Sequence, residues 1–402
     1  MYIGSQKIIE KKREYLVPCS YHFYQYPPQL VTGSMQFLCD DKGKRYLDFY
    51  SGVSVMGCGH CNAEILQKTA KQMLTLQHTT SIYLTQPVVD LAERLAGLTP
   101  GGLKRFFFTS SGSEANEGAL LAASLCTGKT DFIGMRNGLH GRTYLTMGVT
   151  GLDMWRTAAV PCPNTHIVTN YFPDEERCLE ETEDLLKKGN IAAFIAEPLQ
   201  GNGGILSPSP DFFKRLSALL KQYGALLIID EVQTGFGRTG KMFCIEHFGV
   251  TPDIMTMAKA LGNGVPISCY ATTDEIAALF TKASASTFGG NPVACVNAMA
   301  VLDYIEKYDL VANSVKLGKK LKEMLTPLLW KGGIKYVRGM GLMVGVEFDS
   351  EARLNAVMEG LKNDGVLVGK TGAERNVMAL QPPMIINDGD VEDFIEMLIN
   401  NL

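Results

Sequence analysis

The residue best suited to covalent chemistry is Lys259, in the segment MTMAKALGNGVP. It lies between apolar residues and just before a glycine-rich turn. Lysine is seldom buried without a function, and burial lowers the pKa of its amine, which can then form a Schiff base with a carbonyl compound. The alternative is an ordinary solvated lysine at the end of a helix.

A carboxylate closes the apolar run in ALLIIDEVQTG, where Asp230 and Glu231 follow a predicted strand. Ligands of parallel sheets gather at the carboxyl ends of the strands, so an acid at this point faces a binding site. A buried carboxylate without a partner is costly. A protonated pyridine nitrogen would be a suitable partner, and a helix N-terminus or a buried arginine are the alternatives.

The segment SSGSEAN at 110–116 lies between the predicted strand Arg105–Phe108 and a predicted helix. Glycine and small hydroxyl residues in this position let backbone N–H groups approach a phosphate, and the helix dipole favours the negative charge. Ser111 and Glu114 also match a capping box, which would give them a purely structural role. A second cluster of this type, SASTFGGNP, occupies 284–292.

The elements that must position these residues alternate along the chain. From about Ala63, helical stretches alternate with the short apolar runs RFFFTSS, DFIGMR, AAFIAEP, ALLIIDE and PISCYATT. This alternation is typical of βαβ units and of a mainly parallel sheet covered on both faces. Short strands at 36–39 and 46–49, and the pattern VRGMGLMVGVEF after a helix predicted at 292–308, indicate a smaller α+β unit.

In this order, the segments resemble the class III (ω-) aminotransferases. These are fold type I enzymes that depend on pyridoxal 5′-phosphate, and they include ornithine, 4-aminobutyrate and alanine:glyoxylate aminotransferases. The similarity runs from about residue 25 to 390. It also includes DDKGKRYLDFYSG, GCGH, LHGRT, AAFIAEPLQGNGG, GFGRTG, VRGMGLMVGVEF and QPPMII.

The resemblance implies an α/β architecture with a large domain, built on a mainly parallel sheet of seven strands covered by helices, and a smaller α+β domain. We predict that the large, cofactor-binding domain occupies 61–300. The small domain would comprise 301–402, and the N-terminal segment, 1–60, would pack with it.

The resemblance also assigns roles around the cofactor. Lys259 would hold pyridoxal 5′-phosphate as a Schiff base and move the proton, while Asp230 would pair with the pyridine nitrogen. Gln233 would lie beside the phenolic oxygen. The remaining implied cofactor contacts within the chain are Ser111, Leu139, His140 and Glu197.

The phosphate and substrate contacts are implied in the same way. Gly112 and Ser113 would bind the cofactor phosphate together with Thr287 of the partner subunit, so the resemblance implies a homodimer with shared active sites, or a tetramer built from such dimers. Val53 and Arg142 would contact substrate. Arg142 matches the arginine that holds the distal carboxylate in 4-aminobutyrate aminotransferases, and a structural arginine in a surface turn is the alternative.

The chain departs from the family pattern at several positions. Leu139 replaces an aromatic residue that stacks on the cofactor ring, which removes about 1 kcal/mol of stacking. Members that bind the α-carboxylate of glutamate carry an arginine and a matching glutamate at the positions of Ala379 and Asn202. Both are absent, which favours pyruvate or glyoxylate over 2-oxoglutarate as acceptor. Ser284 replaces a family histidine.

We therefore predict a ping-pong transaminase that takes the amino group from an ω- or β-amino acid, an amine or an alanine-like donor. The alternative within the family is an amino acid racemase or epimerase, which returns the proton to Cα. A non-catalytic, cofactor-binding scaffold is a further alternative. A nicotinamide-dependent oxidoreductase is not supported, because no GxGxxG follows a strand with an acidic residue about 20 positions later.

Composition excludes other classes of function. The 402 residues carry a formal net charge of −4 with no basic stripe, which argues against nucleic acid as a partner. No apolar run approaches the roughly 20 residues that span a bilayer, so we expect no membrane association and a cytoplasmic location. Ten irregularly spaced cysteines suit a reducing compartment. The CxxC at 58–61 is interpreted as a turn with incidental thiols, and no metal site is predicted.

Overall fold

The strands and helices of the chain follow the predicted alternation. The computed structural model describes residues 2–157 and 162–402. The strands are β1 (Leu30–Ser34), β2 (Phe37–Asp40), β3 (Arg45–Asp48), β4 (Arg105–Thr109), β5 (Asp131–Met135), β6 (Thr165–Val168), β7 (Ile191–Ala196), β8 (Leu226–Asp230), β9 (Ile254–Met257), β10 (Ser268–Thr272), β11 (Ile334–Met340), β12 (Met343–Phe348), β13 (Val366–Leu367), β14 (Gly369–Thr371) and β15 (Val377–Leu380). The helices are α1 (Ser5–Tyr15), α2 (Ser51–Ser54), α3 (Ala63–Thr75), α4 (Gln86–Ala96), α5 (Gly112–Thr127), α6 (Tyr144–Gly148), α7 (Glu175–Leu186), α8 (Phe212–Gln222), α9 (Asp274–Ala277), α10 (Pro292–Lys307), α11 (Leu310–Leu325), α12 (Glu351–Asp364) and α13 (Asp388–Asn400).

The large sheet has seven strands in the order β4-β10-β9-β8-β7-β5-β6. The pairings from β9 to β6 are parallel, while β10 runs antiparallel to both β9 and β4. The reversal at β10 follows from its connection. Parallel neighbours need a crossover of about a dozen residues or more, usually helical. Residues 258–267, which join β9 to β10, contain only a short 3₁₀ turn. The predicted mainly parallel sheet is confirmed.

Both faces of this sheet are covered, which explains why its central strands are continuous apolar runs. On β8, Ile228 packs in the cluster that contains the α5 side chains Ala119 and Leu120. Its neighbours Leu227 and Ile229 lie in the cluster that contains the buried side chains of α7 and α8. Successive residues of a strand point to opposite faces, so α5 covers one face and α7 and α8 cover the other.

Two smaller sheets combine the two ends of the chain. The first has the order β1-β2-β3-β13, in which β13 pairs parallel with β3. The second has the order β11-β12-β15-β14, and the pattern VRGMGLMVGVEF forms its β11–β12 hairpin. The N-terminal strands therefore pair with a strand of the C-terminal part. The exact domain limits at 60 and 300 stay a prediction. The second limit falls inside α10.

A buried arginine joins these parts. Arg238 is 1 % exposed, and its guanidinium donates to the carbonyl oxygens of Leu342 (3.1 Å) and Pro382 and to Ser51 Oγ (3.5 Å). Burial lowers its pKa to about 10. Its partners come from the N-terminal segment, the β11–β12 turn and the segment after β15. Arg238 thus fixes the small sheets against the large one.

In the described part of the chain, no helix is long and apolar enough to cross a bilayer.

The loop after β5 is held by a close backbone approach. Gly151 pairs with Arg136 as an isolated bridge, and the carbonyl of Gly138 accepts hydrogen bonds from the N–H groups of Gly151 (3.0 Å) and Leu152 (3.2 Å). A Cβ at Gly151 would lie 2.1 Å from the carbonyl oxygen of Met135. Only glycine allows this approach, which shapes the loop that carries the LHGRT motif.

Replacing Gly151 by alanine should therefore strain the loop. We expect Gly151→Ala to lower the free energy of unfolding by roughly 1–3 kcal/mol, the usual cost of overpacking. Thermal and urea unfolding monitored by circular dichroism would measure it. Gly97→Ala is the matched control, because its added Cβ would meet nothing closer than 3.5 Å. Equal stability of the two variants would contradict the argument.

Candidate active site

A cavity of about 420 Å³ lies at the edge of the large sheet where the parallel strands end. Its walls come from the segments that follow β4, β5, β7, β8 and β9, so the strand order brings together residues that are distant in sequence. The predicted site residues that line it are Ser111, Gly112, Ser113, Leu139, His140, Arg142, Glu197, Asp230, Gln233 and Lys259.

Two predicted residues lie elsewhere. Val53 lines an adjoining cavity of about 450 Å³, which also contacts Leu139, Asn202 and Lys259. Thr287 is exposed and does not line the first cavity of its own chain.

The carboxylate of Asp230 is buried and accepts hydrogen bonds at both oxygens. Oδ2 accepts from Asn116 Nδ2 (2.8 Å) and His140 Nδ1 (2.8 Å), while Oδ1 accepts from the N–H of Val232 (3.0 Å). An ionised carboxylate can only accept, so Nδ1 of His140 carries its hydrogen. These donors fix the carboxylate at the end of β8, where it faces the cavity.

Asn116 is the site residue that sequence reasoning missed. Besides Asp230, its Nδ2 donates to the carbonyl of His140 (2.7 Å), and its Oδ1 accepts from Thr256 Oγ1 (2.6 Å). Asn116 thus ties α5 to the ends of β8 and β9 and to the loop after β5. Its only sequence signal was its place in SSGSEAN, about one helical turn after Gly112.

Glu197 holds the part of the cavity wall that contains Leu139. Its Oε1 accepts from the N–H of Leu139 (2.9 Å) and its Oε2 from the N–H of Gly201 (3.0 Å). The pKa of this carboxyl is raised to about 7, mainly by burial; His140 opposes the rise and the nearby Asp230 adds to it. Glu197 holds the side chain of Leu139 at the cavity, at the point where the family pattern has an aromatic ring.

Gln233 has a buried amide oxygen without a hydrogen-bond partner among the described residues. Its Nε2 donates weakly to Gln381 Oε1 at 3.3 Å. A Cβ at position 201 would lie 1.6 Å from Gln233 Oε1, so any larger residue there would displace this amide. A buried polar atom of this kind indicates a missing ligand atom.

Lys259 opens the 3₁₀ turn Lys259–Leu261 directly after β9. Its φ of +46° lies in the left-handed region, which is rare for a residue with a Cβ and costs energy. No hydrogen bond or ion pair joins its amine to any residue in the described ranges. Burial lowers the pKa of the amine, and Asp230 and Glu197 oppose this shift. The amine is therefore available as a nucleophile or a base.

The N-terminus of α5 forms the far end of the cavity. Ser111 Oγ accepts from the N–H of Glu114 (3.2 Å), so the predicted cap is present. Ser113 Oγ accepts from the N–H of Arg142 (3.1 Å). The first N–H groups of a helix have no intrahelical partner, so those of Gly112 and Ser113 are free for an anion. A Cβ at Gly112 would lie 2.9 Å from Val232 Cγ1, so this approach requires glycine.

The residues at which the chain departs from the family pattern lie in different parts of the structure, and only some of them line a cavity. Asn202 lines both cavities, and Ala379 is buried on β15 without lining either one. Ser284 is exposed. The first cavity therefore contains neither the arginine nor the glutamate that the glutamate-binding members share.

The cavity fits pyridoxal 5′-phosphate. The Asp230 carboxylate suits a protonated ring nitrogen, the partnerless amide oxygen of Gln233 marks a polar ring substituent, and the N-terminus of α5 suits a phosphate. The amine of Lys259 suits the aldehyde. This fold and this set of donors define a pyridoxal phosphate-dependent enzyme of fold type I.

Residues 26–402 match the model of the aminotransferase class-III family, and the chain belongs to this family. It is a pyridoxal phosphate-dependent transaminase. It is 41% identical to an alanine–glyoxylate aminotransferase 2 homologue from Arabidopsis thaliana mitochondria over 97% of this chain and 86% of that protein. It is 38% identical to an acetylornithine aminotransferase from Archaeoglobus fulgidus over 92% and 94% of the two chains. The solved ornithine aminotransferase of Toxoplasma gondii, whose active site is partially occupied by pyridoxal phosphate, superposes with a TM-score of 0.89 at 29% identity over 99% and 94% of the chains.

The raised pKa of Glu197 predicts a pH-dependent stability. Between its ordinary pKa of 4.5 and about 7, the folded state retains a proton that the unfolded state releases. The contribution of this group to stability is therefore complete below pH 4.5 and is lost as the pH rises to about 7. The loss is on the order of 3 kcal/mol, because one pKa unit corresponds to about 1.4 kcal/mol.

Glu197→Gln should remove this dependence, so that the variant gains stability relative to the natural protein as the pH rises from 4.5 to 7. Urea unfolding across this range would measure the difference. Glu180→Gln, at an exposed position, is the charge-matched control. A constant difference between Glu197→Gln and the natural protein at all these pH values would show the shift to be absent.

Proposed function

We propose that the enzyme transfers an amino group from an ω- or β-amino acid, an amine or an alanine-like donor to a small 2-oxo acid. Pyruvate or glyoxylate is favoured over 2-oxoglutarate, and the two half-reactions follow a ping-pong order. The observation that carries the proposal is the pair of groups in one cavity: the unpartnered amine of Lys259 and the buried carboxylate of Asp230.

Different residues of the cavity have different roles in the reaction. When bound, the cofactor supplies an electron sink that makes the substrate Cα–H acidic. Asp230, held by Asn116 and His140, keeps a proton on the ring nitrogen. Lys259 Nζ, with its lowered pKa, accepts the proton from Cα and later returns it, as general base and acid. The first turn of α5 anchors the phosphate, which keeps the reacting atoms in place.

The acceptor preference rests on the missing carboxylate-binding pair. Ala379 offers no cation, and Asn202 offers a neutral amide at the cavity wall. Arg142 lies exposed at the rim of the cavity and is proposed to grip the acceptor carboxylate by a bidentate contact. The name of the Arabidopsis relative, an alanine–glyoxylate aminotransferase, supports a small acceptor, whereas the acetylornithine relative supports an ω-amino donor.

We further propose that the active site is shared between two copies. Thr287 is exposed and does not line the first cavity of its own chain, which supports its contact with the cofactor phosphate of another copy. Phe288, next to Thr287, and several large apolar side chains within 74–89 are exposed. Exposed apolar side chains in such number indicate a surface that contacts another protein chain. These residues are Leu74, Leu76, Ile82, Tyr83, Leu84, Val89 and Phe288.

The cytoplasm is the proposed location. Each of the ten cysteines is free, as expected in a reducing compartment.

The proposed reaction predicts a defined set of half-reactions. Purified holoenzyme mixed with single donors should lose the absorbance of its bound cofactor with alanine, β-alanine or 4-aminobutyrate at least about tenfold faster than with glutamate, since one lost charged contact is worth about that factor. Stopped-flow absorbance would measure the rates. Lys259→Ala should abolish them, and borohydride should no longer label the chain. Equal rates with glutamate would contradict the acceptor assignment, and deuterium exchange with inversion at Cα alone would favour the racemase.

Shared active sites predict recovery of activity between two inactive chains. Co-expression of Lys259→Ala with Thr287→Glu should restore about a quarter of the active sites, because half of the dimers are mixed and each mixed dimer has one intact site. Co-expression of Lys259→Ala with Asp230→Ala is the control and should restore none, since both residues belong to the same chain's cavity. Equal activity of the two mixtures would show that the sites are not shared.

A further inference from the structure

The adjoining cavity of about 450 Å³ has a different character from the first. Lys259 and Leu139 lie where the two cavities meet, so a molecule that reacts with the amine of Lys259 can extend into the second one. Its other walls come from the N-terminal segment and from β14.

The long wall of this cavity is aromatic. The ring centroids of Tyr50 and Phe23 are 5.7 Å apart, those of Phe23 and Tyr21 5.8 Å, and those of Tyr21 and Trp155 6.1 Å. The ring of Tyr50 lies on the backbone of Gly369, where a Cβ would be 2.0 Å from Cε2. This continuous row of rings offers an apolar surface along the middle of the cavity.

The N-terminal part of the wall is fixed by a reciprocal pair of hydrogen bonds. Tyr24 Oη donates to the carbonyl of Val368 (3.0 Å) and accepts from its N–H (2.9 Å). The guanidinium of Arg375 lies 5.2 Å from the ring centroid of Tyr21. These contacts hold the N-terminal part of the wall in a defined position against the rest of the fold.

A buried lysine also lines this cavity. Lys370, on β14, is 7 % exposed. Its amine donates to Glu351 Oε1 (2.8 Å) and Asn355 Oδ1 (2.9 Å). An ammonium group has three N–H donors, so one remains for a ligand.

The charge around Lys370 is unbalanced. Glu351 Oε1 also accepts from Arg375 Nε (2.8 Å), so two cations share one carboxylate. Positive charge in excess at the wall of an apolar cavity favours an anionic ligand. The hydroxyl of Tyr50 and the side-chain amide of Asn202 also have no hydrogen bond to the described residues, and both line this cavity.

We propose that this cavity binds the distal carboxylate of an ω-amino acid donor, with Lys370 as the residue that determines specificity. The amine of the donor lies at Lys259, its methylene groups lie along the aromatic wall, and its carboxylate accepts from Lys370 Nζ and the Tyr50 hydroxyl. An α-amino acid such as alanine carries both groups on one carbon, so it reaches Lys259 without extending to Lys370. This inference rests on the proposed function and narrows its donor class.

Matched donors test the proposal. Lys370→Met should lower kcat/KM for 4-aminobutyrate roughly 10- to 100-fold, the effect of losing a charged hydrogen bond, and should leave kcat/KM for butylamine within about twofold. Lys370→Arg should recover most of the activity with 4-aminobutyrate. Lys335→Met, at an exposed position, is the control. Equal losses with both donors would overturn the proposal, and so would a preference that disappears in Arg142→Met but persists in Lys370→Met.

A second variant separates binding from a structural role of the ion pair. Glu351→Gln removes the shared carboxylate and leaves Lys370 with more unbalanced positive charge. The KM for 4-aminobutyrate should therefore stay the same or fall. If Lys370 only holds β14 to α12, Glu351→Gln and Lys370→Met should raise this KM alike, which would overturn the proposal.

Binding without turnover keeps this inference distinct from the proposed function. Pentanoate has the shape of 4-aminobutyrate without a reactive amine. Calorimetric titration of the holoenzyme should show saturable binding that weakens about tenfold or more in Lys370→Met, while pentanamide should bind equally weakly to both proteins. Absence of pentanoate binding would overturn the subsite. Binding of pentanoate without any transamination would retain the subsite and contradict the proposed function.

Discussion

The site depends on the cost of keeping one carboxylate charged in the interior. Asp230 ends a strand that is apolar on both faces, and the fold stabilises its charge with three donors from three different elements. Asn116 comes from α5 and His140 from the loop after β5. The requirement to meet at one point therefore fixes the relative positions of these elements, and the same contacts place the phosphate-binding turn and Lys259 around a common cavity.

Much of this arrangement follows from local sequence patterns. Short apolar runs that end in polar residues predict the strands, and ligands gather at the carboxyl ends of parallel strands, which is enough to place Lys259 and Asp230 at one site. The β10 reversal was not predicted, since a run of apolar residues carries no direction. Asn116 was not identified either, because its contacts with Asp230 and Thr256 depend on how α5 lies over the sheet.

Of the residues that line only the second cavity, Val53 alone was predicted, as a substrate contact. Tyr50 and Lys370 meet there because β3 pairs with β13, a long-range parallel pairing that hydrophobic periodicity does not specify. Ion pairs between buried charged residues also cannot be predicted from the sequence. The sequence shows Glu351 and Arg375 as ordinary charged residues, and only the packing shows that two cations share one carboxylate. Local pattern thus identifies the chemistry of the site, whereas selectivity depends on contacts between distant parts of the chain.

The reciprocal hydrogen bonds between Tyr24 and Val368 have a consequence for biosynthesis. During translation the seven-stranded sheet has all its strands well before residue 368 leaves the ribosome, so its edge and Lys259 can be in place while the N-terminal tyrosines still lack a docking strand. The aromatic wall of the second cavity therefore forms later than the sheet edge that carries Lys259. Selectivity would be the last property that the growing polypeptide acquires.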